Sequence, residues 1–345
     1  MKKQVLVVVG FAALFAGCES GSKKDATATV EVDWNSDGLI DQVATLTYAR
    51  KSGQLITQAI DYVDPSDDDI TVTYDYDDNG FVMRETSATD SDDVAYFIME
   101  MTNDERGNVI ERRYDTNADG TFTYYAYFTY SADNDITREA YDFNGDGVIN
   151  RERLVTYASA GQYATRNYDD NGDGVFNYFE AVSYAPGNRR EILHELDRNA
   201  DGSFDEQHFV TWTDNADGTI TRFLERDLDL NGSIDRTDTR IMLTDDIREY
   251  LAKTVSYVRD TNNDGNPDYI ELSTYNANEQ ILTSSGDTNG DGTPENFAEF
   301  DYDENGNLTG QRFYDAQGEL TYIMNVVYKN WNIGRVELPQ LSSST

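Results

Sequence analysis

Residues 142–168 read DFNGDGVINRERLVTYASAGQYATRNY, and residues 169–196 read DDNGDGVFNYFEAVSYAPGNRREILHEL. Set one above the other, the two lines share a plan. Each opens with an acidic, glycine-containing loop and runs into a strand-like segment ending in tyrosine (Tyr157, Tyr184). Each then turns at a glycine (Gly161, Gly187) and returns through a second segment. Repetition of this kind decides the architecture before composition does. A unit too small to bury its own apolar side must pack against its neighbours.

Working outward, the first Asp of each loop marks units at Asp33, Asp61, Asp90, Asp115, Asp142, Asp169, Asp197, Asp227, Asp260, Asp287 and Asp315, spaced 25 to 33 residues apart. An aromatic falls 15 residues after that Asp at Tyr48, Tyr76, Tyr130, Tyr157, Tyr184, Trp212, Tyr275 and Tyr302. The units at Asp61 and Asp90 keep the length but lack the loop residues, and the unit from Asp315 is shortened as suits a terminal cap. Within a unit, two strand-like segments alternate with turn signals, the pattern of consecutive β-hairpins. Val182 and Tyr184 share one strand face, and the pairs Phe128–Tyr130, Val155–Tyr157 and Val210–Trp212 repeat it. Stacked hairpins would align these residues into columns of sheet core. The expected fold is all-β: about eleven tandem antiparallel β-hairpin repeats of about 27 residues over 31–330, forming an elongated, twisted sheet, spiral or solenoid. The alternative groups pairs of units into four-stranded propeller blades. One segment breaks the rhythm. TDDIREYLAK at 244–253 offers Thr244 as N-cap, Asp245 and Asp246 in the first turn, and Ile247, Tyr250 and Leu251 at helical spacing. It predicts a short helical insertion.

Seven loops place an oxygen side chain at positions 1, 3, 5 and 9 with glycine at 6. They are Asp33/Asn35/Asp37/Asp41, Asp142/Asn144/Asp146/Asn150, Asp169/Asn171/Asp173/Asn177, Asp197/Asn199/Asp201/Asp205, Asp227/Asp229/Asn231/Asp235, Asp260/Asn262/Asp264/Asp268 and Asp287/Asn289/Asp291/Glu295. An eighth, Asp115/Asn117/Asp119, has Thr123 at position 9. Ca²⁺ takes six to eight hard oxygens in flexible geometry, which alternate side chains and a position-7 carbonyl can supply around a glycine turn. Mg²⁺, which demands near-ideal octahedral geometry, suits such loops less. Position 8 is usually apolar (Ile40, Phe122, Ile149, Phe176, Phe204, Ile234) and would pin the loop to the sheet. The competing reading is a solvated Asx-turn with no metal.

These loops resemble the first half of an EF-hand and, more closely, the D-x-D-x-D-G-x-x-D loops of thrombospondin type 3 repeats and FG-GAP propellers. The resemblance implies several calcium sites. At position 12, where an EF-hand carries a bidentate Glu, this chain has Ala44, Arg153, His208, Asp238 and Ala298, with Glu only at Glu180 and Glu271. Sites completed by water or neighbouring loops would be weak, on the order of 10⁻⁴ M. The segments YDYDDNGFVMRE from Tyr74, NDERGNVIERRYD from Asn103 and FDYDENGNLTGQRFYDAQGEL from Phe300 are similar to YD repeats of the RHS type. That family builds β-hairpin spirals.

Composition limits the partners. The net charge of −38 disfavours nucleic acid, as it would repel another polyanion, and favours cations. With 38% hydrophobic residues the chain leans towards disorder, but 24 Tyr and 15 Phe argue for a packed sheet. At the N-terminus, Lys2 and Lys3 precede an apolar run from Val5 to Ala16, too short to span a bilayer, that ends in Phe15-Ala16-Gly17-Cys18. This resembles a bacterial lipoprotein signal, with Phe15 where such signals usually carry Leu. The resemblance implies a signal peptide at 1–17, lipidation of Cys18 and a flexible tether at 18–30. It also implies a lipid anchor in a membrane and, since Glu19 is not Asp, an outer-membrane lipoprotein on the periplasmic or cell-surface side. A plain secretory signal is the alternative. Cys18 is the sole cysteine, so no disulfide framework exists, and 331–345 reads as a C-terminal tail.

Catalysis has little to rest on. His194 and His208 lack zinc-type spacing, His208 reads as a surface or sheet residue rather than a base, and no nucleophile elbow or phosphate-binding glycine loop is present. The expected function is a non-enzymatic, calcium-binding, lipid-anchored repeat scaffold of the cell envelope, structural or adhesive, with a protein or glycan partner at the surface. A β-propeller-like binding module is the alternative.

Overall fold

The computed structural model describes residues 25–49, 52–64, 68–89, 94–159, 161–244 and 253–329. The signal peptide, Cys18, the C-terminal tail and most of the expected helix at 244–253 lie outside them. The described residues form β1 Ala26–Asp33, β2 Gln42–Tyr48, β3 Leu55–Tyr62, β4 Ile70–Tyr76, β5 Val82–Thr89, β6 Ala95–Asn103, β7 Val109–Asp115 and β8 Tyr124–Tyr130. There follow β9 Ile136–Asp142, β10 Arg151–Ser159, β11 Gln162–Asp169, β12 Tyr178–Tyr184, β13 Glu191–Asp197, β14 Glu206–Asp214 and β15 Ile220–Asp227. The last are β16 Arg236–Met242, β17 Thr254–Asp260, β18 Tyr269–Tyr275, β19 Ile281–Asp287, β20 Asn296–Tyr302, β21 Leu308–Asp315 and β22 Leu320–Lys329. No helix occurs among the described residues.

The chain divides into two units. Unit 1 holds β1–β5, β21 and β22. Its first two strands alternate between buried and half-exposed positions, throughout QVATLTY of β2 and along ATATVEVD of β1 as far as Val32. That period of two is what a one-sided sheet requires. The buried face carries Ala28, Val30, Val32, Ala44, Leu46 and Ile60, joined by Met324 and Val326. Register aligns them across strands: Val326, Val30, Ala44 and Ile60 lie in one row, and Tyr328, Ala28, Leu46 and Gln58 in the next. Unit 2 holds β7–β19 as an antiparallel meander in which each strand pairs with the next.

The hairpin repeat is as expected, but the open architecture is not. All 22 strands belong to one sheet, and within unit 1 the first strand pairs with the last, from Thr27↔Lys329 to Asp33↔Ile323. The sheet therefore closes as an antiparallel β-barrel. This overturns the elongated sheet, spiral or solenoid, and equally the grouping into propeller blades. The physical reason is the twist of paired strands, which coils a long meander until its ends can meet. Pairing them satisfies the N–H and C=O rows that two free edges would expose.

The recurrent aromatic acts as a pin. Tyr76 Oη donates to Leu55 O at 2.7 Å, Tyr130 to Val109 O at 2.9 Å, Tyr157 to Ile136 O at 2.7 Å and Tyr275 to Thr254 O at 2.9 Å. Trp212 Nε1 donates to Glu191 O at 2.8 Å. In each case the far part of an even strand is tied to the first residue of the preceding odd strand. A phenol or indole suits this place because its ring packs on the sheet while its polar tip reaches a carbonyl.

Candidate metal centres

The eight acidic loops connect odd strands to the even strands that follow. The first Asp of each is the last residue of its strand (β1, β7, β9, β11, β13, β15, β17 and β19), and all eight are buried. One hydrogen-bond frame serves all eight. The N–H at position 9 donates to the carbonyl just before position 1, as in Asp41 to Val32 and Asn150 to Tyr141, at 2.7–2.9 Å throughout. The position-6 glycine N–H donates to Oδ2 of the first Asp, for example Gly38 to Asp33 and Gly147 to Asp142, both 2.9 Å. The position-5 side chain accepts from the N–H at position 7, as in Asp146 from Val148 at 2.8 Å. In seven loops the position-9 side chain accepts from the N–H at position 2, as in Asp235 from Leu228 at 2.7 Å. Thr123 is the one position-9 residue with no such bond among those observed.

Backbone donors set the electrostatics. Burial alone would raise the pKa of Asp142, but N–H bonds from Gly147, Asn144 and Gly145 outweigh it and hold the carboxyl below its ordinary value. The Thr121 N–H does the same for the exposed Asp119, and the Thr261 hydroxyl for Asp268. These groups stay ionised, as hard-cation ligands must.

The donor set fits Ca²⁺ best in two loops. Asp227, Asp229 and Asp235 bring carboxylate oxygens within 4.8 Å of one another, and so do Asp287, Asp291 and Glu295. Oxygens on opposite sides of a Ca²⁺ ion lie about 5 Å apart, so three carboxylates this close can share one ion.

In the remaining loops no three carboxylates come that close to one another among the described residues. Three of them carry three aspartates each (Asp33/Asp37/Asp41, Asp197/Asp201/Asp205 and Asp260/Asp264/Asp268), yet no third cluster forms among the described residues. At position 5, Asp37 accepts from the Leu39 N–H at 2.9 Å, Asp201 from Ser203 at 2.9 Å and Asp264 from Asn266 at 2.8 Å. At position 9, Asp205 accepts from the Arg198 N–H at 2.7 Å. A side chain as short as Asp, held by its own N–H at each of these places, does not reach the others. The two clustered loops escape by different means. One puts a third carboxylate at position 3 as Asp229, and the other uses the extra methylene of Glu295 at position 9. The loops from Asp115, Asp142 and Asp169 offer only two carboxylates at ligand positions. There Asp173 accepts from the Val175 N–H at 2.8 Å, and Asn177 at position 9 from Asp170 at 3.3 Å.

The amides are likewise engaged by the turn. Asn35, Asn117, Asn144 and Asn171 each present Oδ1 to the position-5 N–H. Asn199, Asn262 and Asn289 do the same towards Asp201, Asp264 and Asp291, all at 2.9 Å. Asn231, at position 5, accepts from the Ser233 N–H at 2.8 Å. Asn289 also donates through Nδ2 to Glu295 Oε1 at 2.9 Å, which ties it to the cluster it flanks. Each such oxygen keeps a second lone pair, so a cation can recruit it without breaking the frame.

Two features escaped the sequence reading. Position 4 is left-handed in every loop, at Ser36, Ala118, Gly145, Gly172, Ala200, Leu230, Asn263 and Gly290. The residue varies because some of these positions have room. At Gly172 a Cβ would come within 2.4 Å of Ile149 O in the preceding loop, whereas Asn263 Nδ2 donates to Ile234 O at 2.8 Å. Adjacent loops therefore touch through positions 4 and 8. The signal was a small or polar residue two places before the glycine, in every loop but the one with Leu230.

The second feature lies at position 12. None of these residues turns back to its loop. They fall on the buried face of the sheet, where Glu180 Oε2 meets His194 Nε2 at 2.9 Å and Glu180 Oε1 accepts from Arg166 Nη1 at 3.0 Å. Glu271 accepts from Tyr269 Oη at 3.3 Å. The two EF-hand-like glutamates thus serve a polar ladder rather than a metal. His194 and His208, directly opposite in register, meet edge to face at 5.4 Å. Burial first and Arg226 next push the His208 pKa down to about 4, so the ring is neutral at neutral pH. Of the two places the sequence left open for His208, surface or sheet, it takes the sheet, on the buried face.

In sequence, no family of known proteins matches this chain, and no curated protein matches it. Among solved structures, the chain is similar to the crystal structure of TcdB2-TccC3-TEV (TM-score 0.33, 11% identity, 85% of this chain and 16% of that one). A porin-like protein from Bacteroides vulgatus ATCC 8482 gives a TM-score of 0.26 at 9% identity, over 68% of this chain and 93% of that one. The chain spans about a sixth of the length of the first of these. The all-β repeat character is read from the strands themselves, and nothing more is taken from these likenesses.

Proposed function

We propose that this chain is a non-enzymatic, calcium-stabilised β-repeat scaffold of the bacterial cell envelope, anchored by lipid on Cys18 and structural or adhesive in role. The observation that carries the calcium reading is the common frame of the eight loops. The same positions hold oxygen side chains, oriented by the same backbone donors, at the ends of eight odd strands. Calcium would neutralise carboxylates that a chain of net charge −38 otherwise holds against mutual repulsion. The lipoprotein-like signal supports export and anchoring. Cleavage before Cys18 removes two lysines and takes the net charge from −38 to −40. A protein or glycan at the surface is the partner this role calls for.

Calcium titration by calorimetry tests the first part. Saturation at seven or eight ions per chain is the expected result, with the loops at Asp227 and Asp287 filling first, and no saturable heat would return the loops to plain turns. For the second part, Cys18→Ser should move the protein from the membrane fraction to the soluble fraction. Unchanged fractionation would remove the anchor from the proposal.

A further inference from the structure

Strands β13 to β17 of unit 2 enclose a pocket of about 270 Å³ on the buried face of the sheet. Its charged lining is Arg222, Arg226 and Arg240 against Glu191 and Asp238. Asp238 is shared by three arginines. Arg236 stands 3.2 Å from its Oδ1, Arg259 3.1 Å from the same oxygen and Arg226 3.1 Å from Oδ2, while Tyr257 Oη donates to Oδ1 at 2.6 Å. Glu191 is occupied by Arg222. The histidines add no negative charge, and His208, opposite Arg226 in register, is neutral.

Three half-buried guanidinium groups on one carboxylate are unexpected in so acidic a chain. Arg226 faces Asp238 Oδ2 in an ion pair that lacks hydrogen-bond geometry, and its Nε is buried with no hydrogen-bond partner. Burial pushes the Arg226 pKa down, the direction of a cation short of compensation. Leaving buried charge and N–H groups unmatched is costly. The Arg240 guanidinium is steadied 4.6 Å above the Tyr257 ring, so its planar donor fork is pre-set. A planar or tetrahedral oxyanion is the chemistry such forks match.

We infer that this pocket binds a small oxyanion, a carboxylate or a phosphate, between Arg222, Arg226 and Arg240. Its volume sits just below the usual range for ligand pockets, about 300–1,000 Å³, so the ligand is small. Glu191 and Asp238 act as internal competitors that hold the arginines in place while the pocket is empty. This site is independent of the calcium loops.

The experiment is calorimetric titration of the full chain with inorganic phosphate in one arm and succinate in the other, at about 0.15 M salt to screen the overall charge. Each arm is run in calcium and again in excess chelator. One saturable site is expected in both conditions, and the arm that saturates at lower concentration names the oxyanion. Arg226→Gln and Arg240→Gln should each weaken it about tenfold or more, and Glu191→Gln, which frees Arg222, should tighten it. The opposite sign of the last variant separates loss of a ligand contact from loss of fold. The inference is overturned if neither anion saturates, if binding vanishes in chelator and so belongs to loop-held metal, or if Glu191→Gln leaves the affinity unchanged.

Discussion

The same strand face is built in two ways in the two units. In unit 1 it is mostly apolar and carries no charge in its centre: Ala28, Val30, Leu46 and Ile60 are nearly inaccessible, with the neutral amides of Gln42 and Gln58 buried among them. In unit 2 the matching rows run Val182, His194, His208, Arg226, Arg236 and Val210, Leu224, Asp238, Arg259, Tyr269. Valine or leucine alternates there with ion pairs and phenols. Both units share the hairpin length and the aromatic pin, so the repeat fixes strand geometry without fixing what the buried face is made of. Unit 1 holds through dispersion and exclusion of water. Unit 2 holds charges that must each find a partner, and it carries seven of the eight acidic loops.

That contrast can be broken or sharpened by experiment, and the largest effect should come from removing calcium. At tenfold excess over its dissociation constant, one bound ion stabilises by about 1.4 kcal/mol, and unit 2 has seven loops to one in unit 1. Chelation should therefore raise amide exchange across β7–β19 far more than across β1–β5. Uniform protection with and without chelator would show that the loops hold no ion.

Single substitutions come next. Leu46→Ala should cost about 2–5 kcal/mol by leaving a cavity in the apolar face. Asp238→Asn should cost about 3–5 kcal/mol because Arg226, Arg236 and Arg259 lose their common carboxylate. Chemical denaturation compares the two. If Asp238→Asn proves nearly neutral, the ladder of unit 2 contributes little to stability.

Acid should separate the units next. The folded pKa of His208, about 4, lies below its ordinary 6.5, so the unfolded chain binds the proton first. Stability from this group is complete above pH 6.5 and is lost as pH falls towards 4. Glu180 and Asp238 are both depressed despite burial, by His194 and Arg166 and by Tyr257 and Arg236 respectively. Their contribution is present above the ordinary carboxylate range and is lost only as pH drops through the lower folded values. Both histidines of the chain lie in unit 2. Melts between pH 7 and 4 should thus show loosening that begins there, and His208→Gln should flatten the slope. A slope unchanged in that variant would assign the loss to other groups.

The smallest effect should be shared. Tyr76→Phe in unit 1 and Tyr157→Phe in unit 2 each delete one hydrogen bond to a strand-start carbonyl and should cost about 0.5–1.5 kcal/mol alike. A much larger cost in one unit would mean the pins differ in role.

Much of this was legible in the chain itself. The spacing of Asp and Tyr placed every acidic loop at the end of an odd strand and every pin on an even one, because turn chemistry and period-two alternation are local. Ligand spacing alone did not reveal which loops gather three carboxylates. That depends on side-chain reach, which separates Glu295 from Asp205 at the same position. The position-12 residues were misleading. Glu180 and Glu271 stand where an EF-hand ligand would, but a strand that begins directly after position 9 turns them onto the sheet face. His194 and His208 carried no recognisable spacing, since their meeting depends on register between β13 and β14.

The sequence by itself determined the all-β hairpin repeat, the loop frame with its ligand-type oxygens and the aromatic column, since each rests on residues within one 27-residue unit. Only the tertiary structure decided that β1 meets β22 and that arginines from β15, β16 and β17 converge on Asp238. Apart from Arg236, two residues from Asp238, those contacts join residues on different strands. Accumulated twist and inter-strand register bring them together, and neither is written in any single repeat.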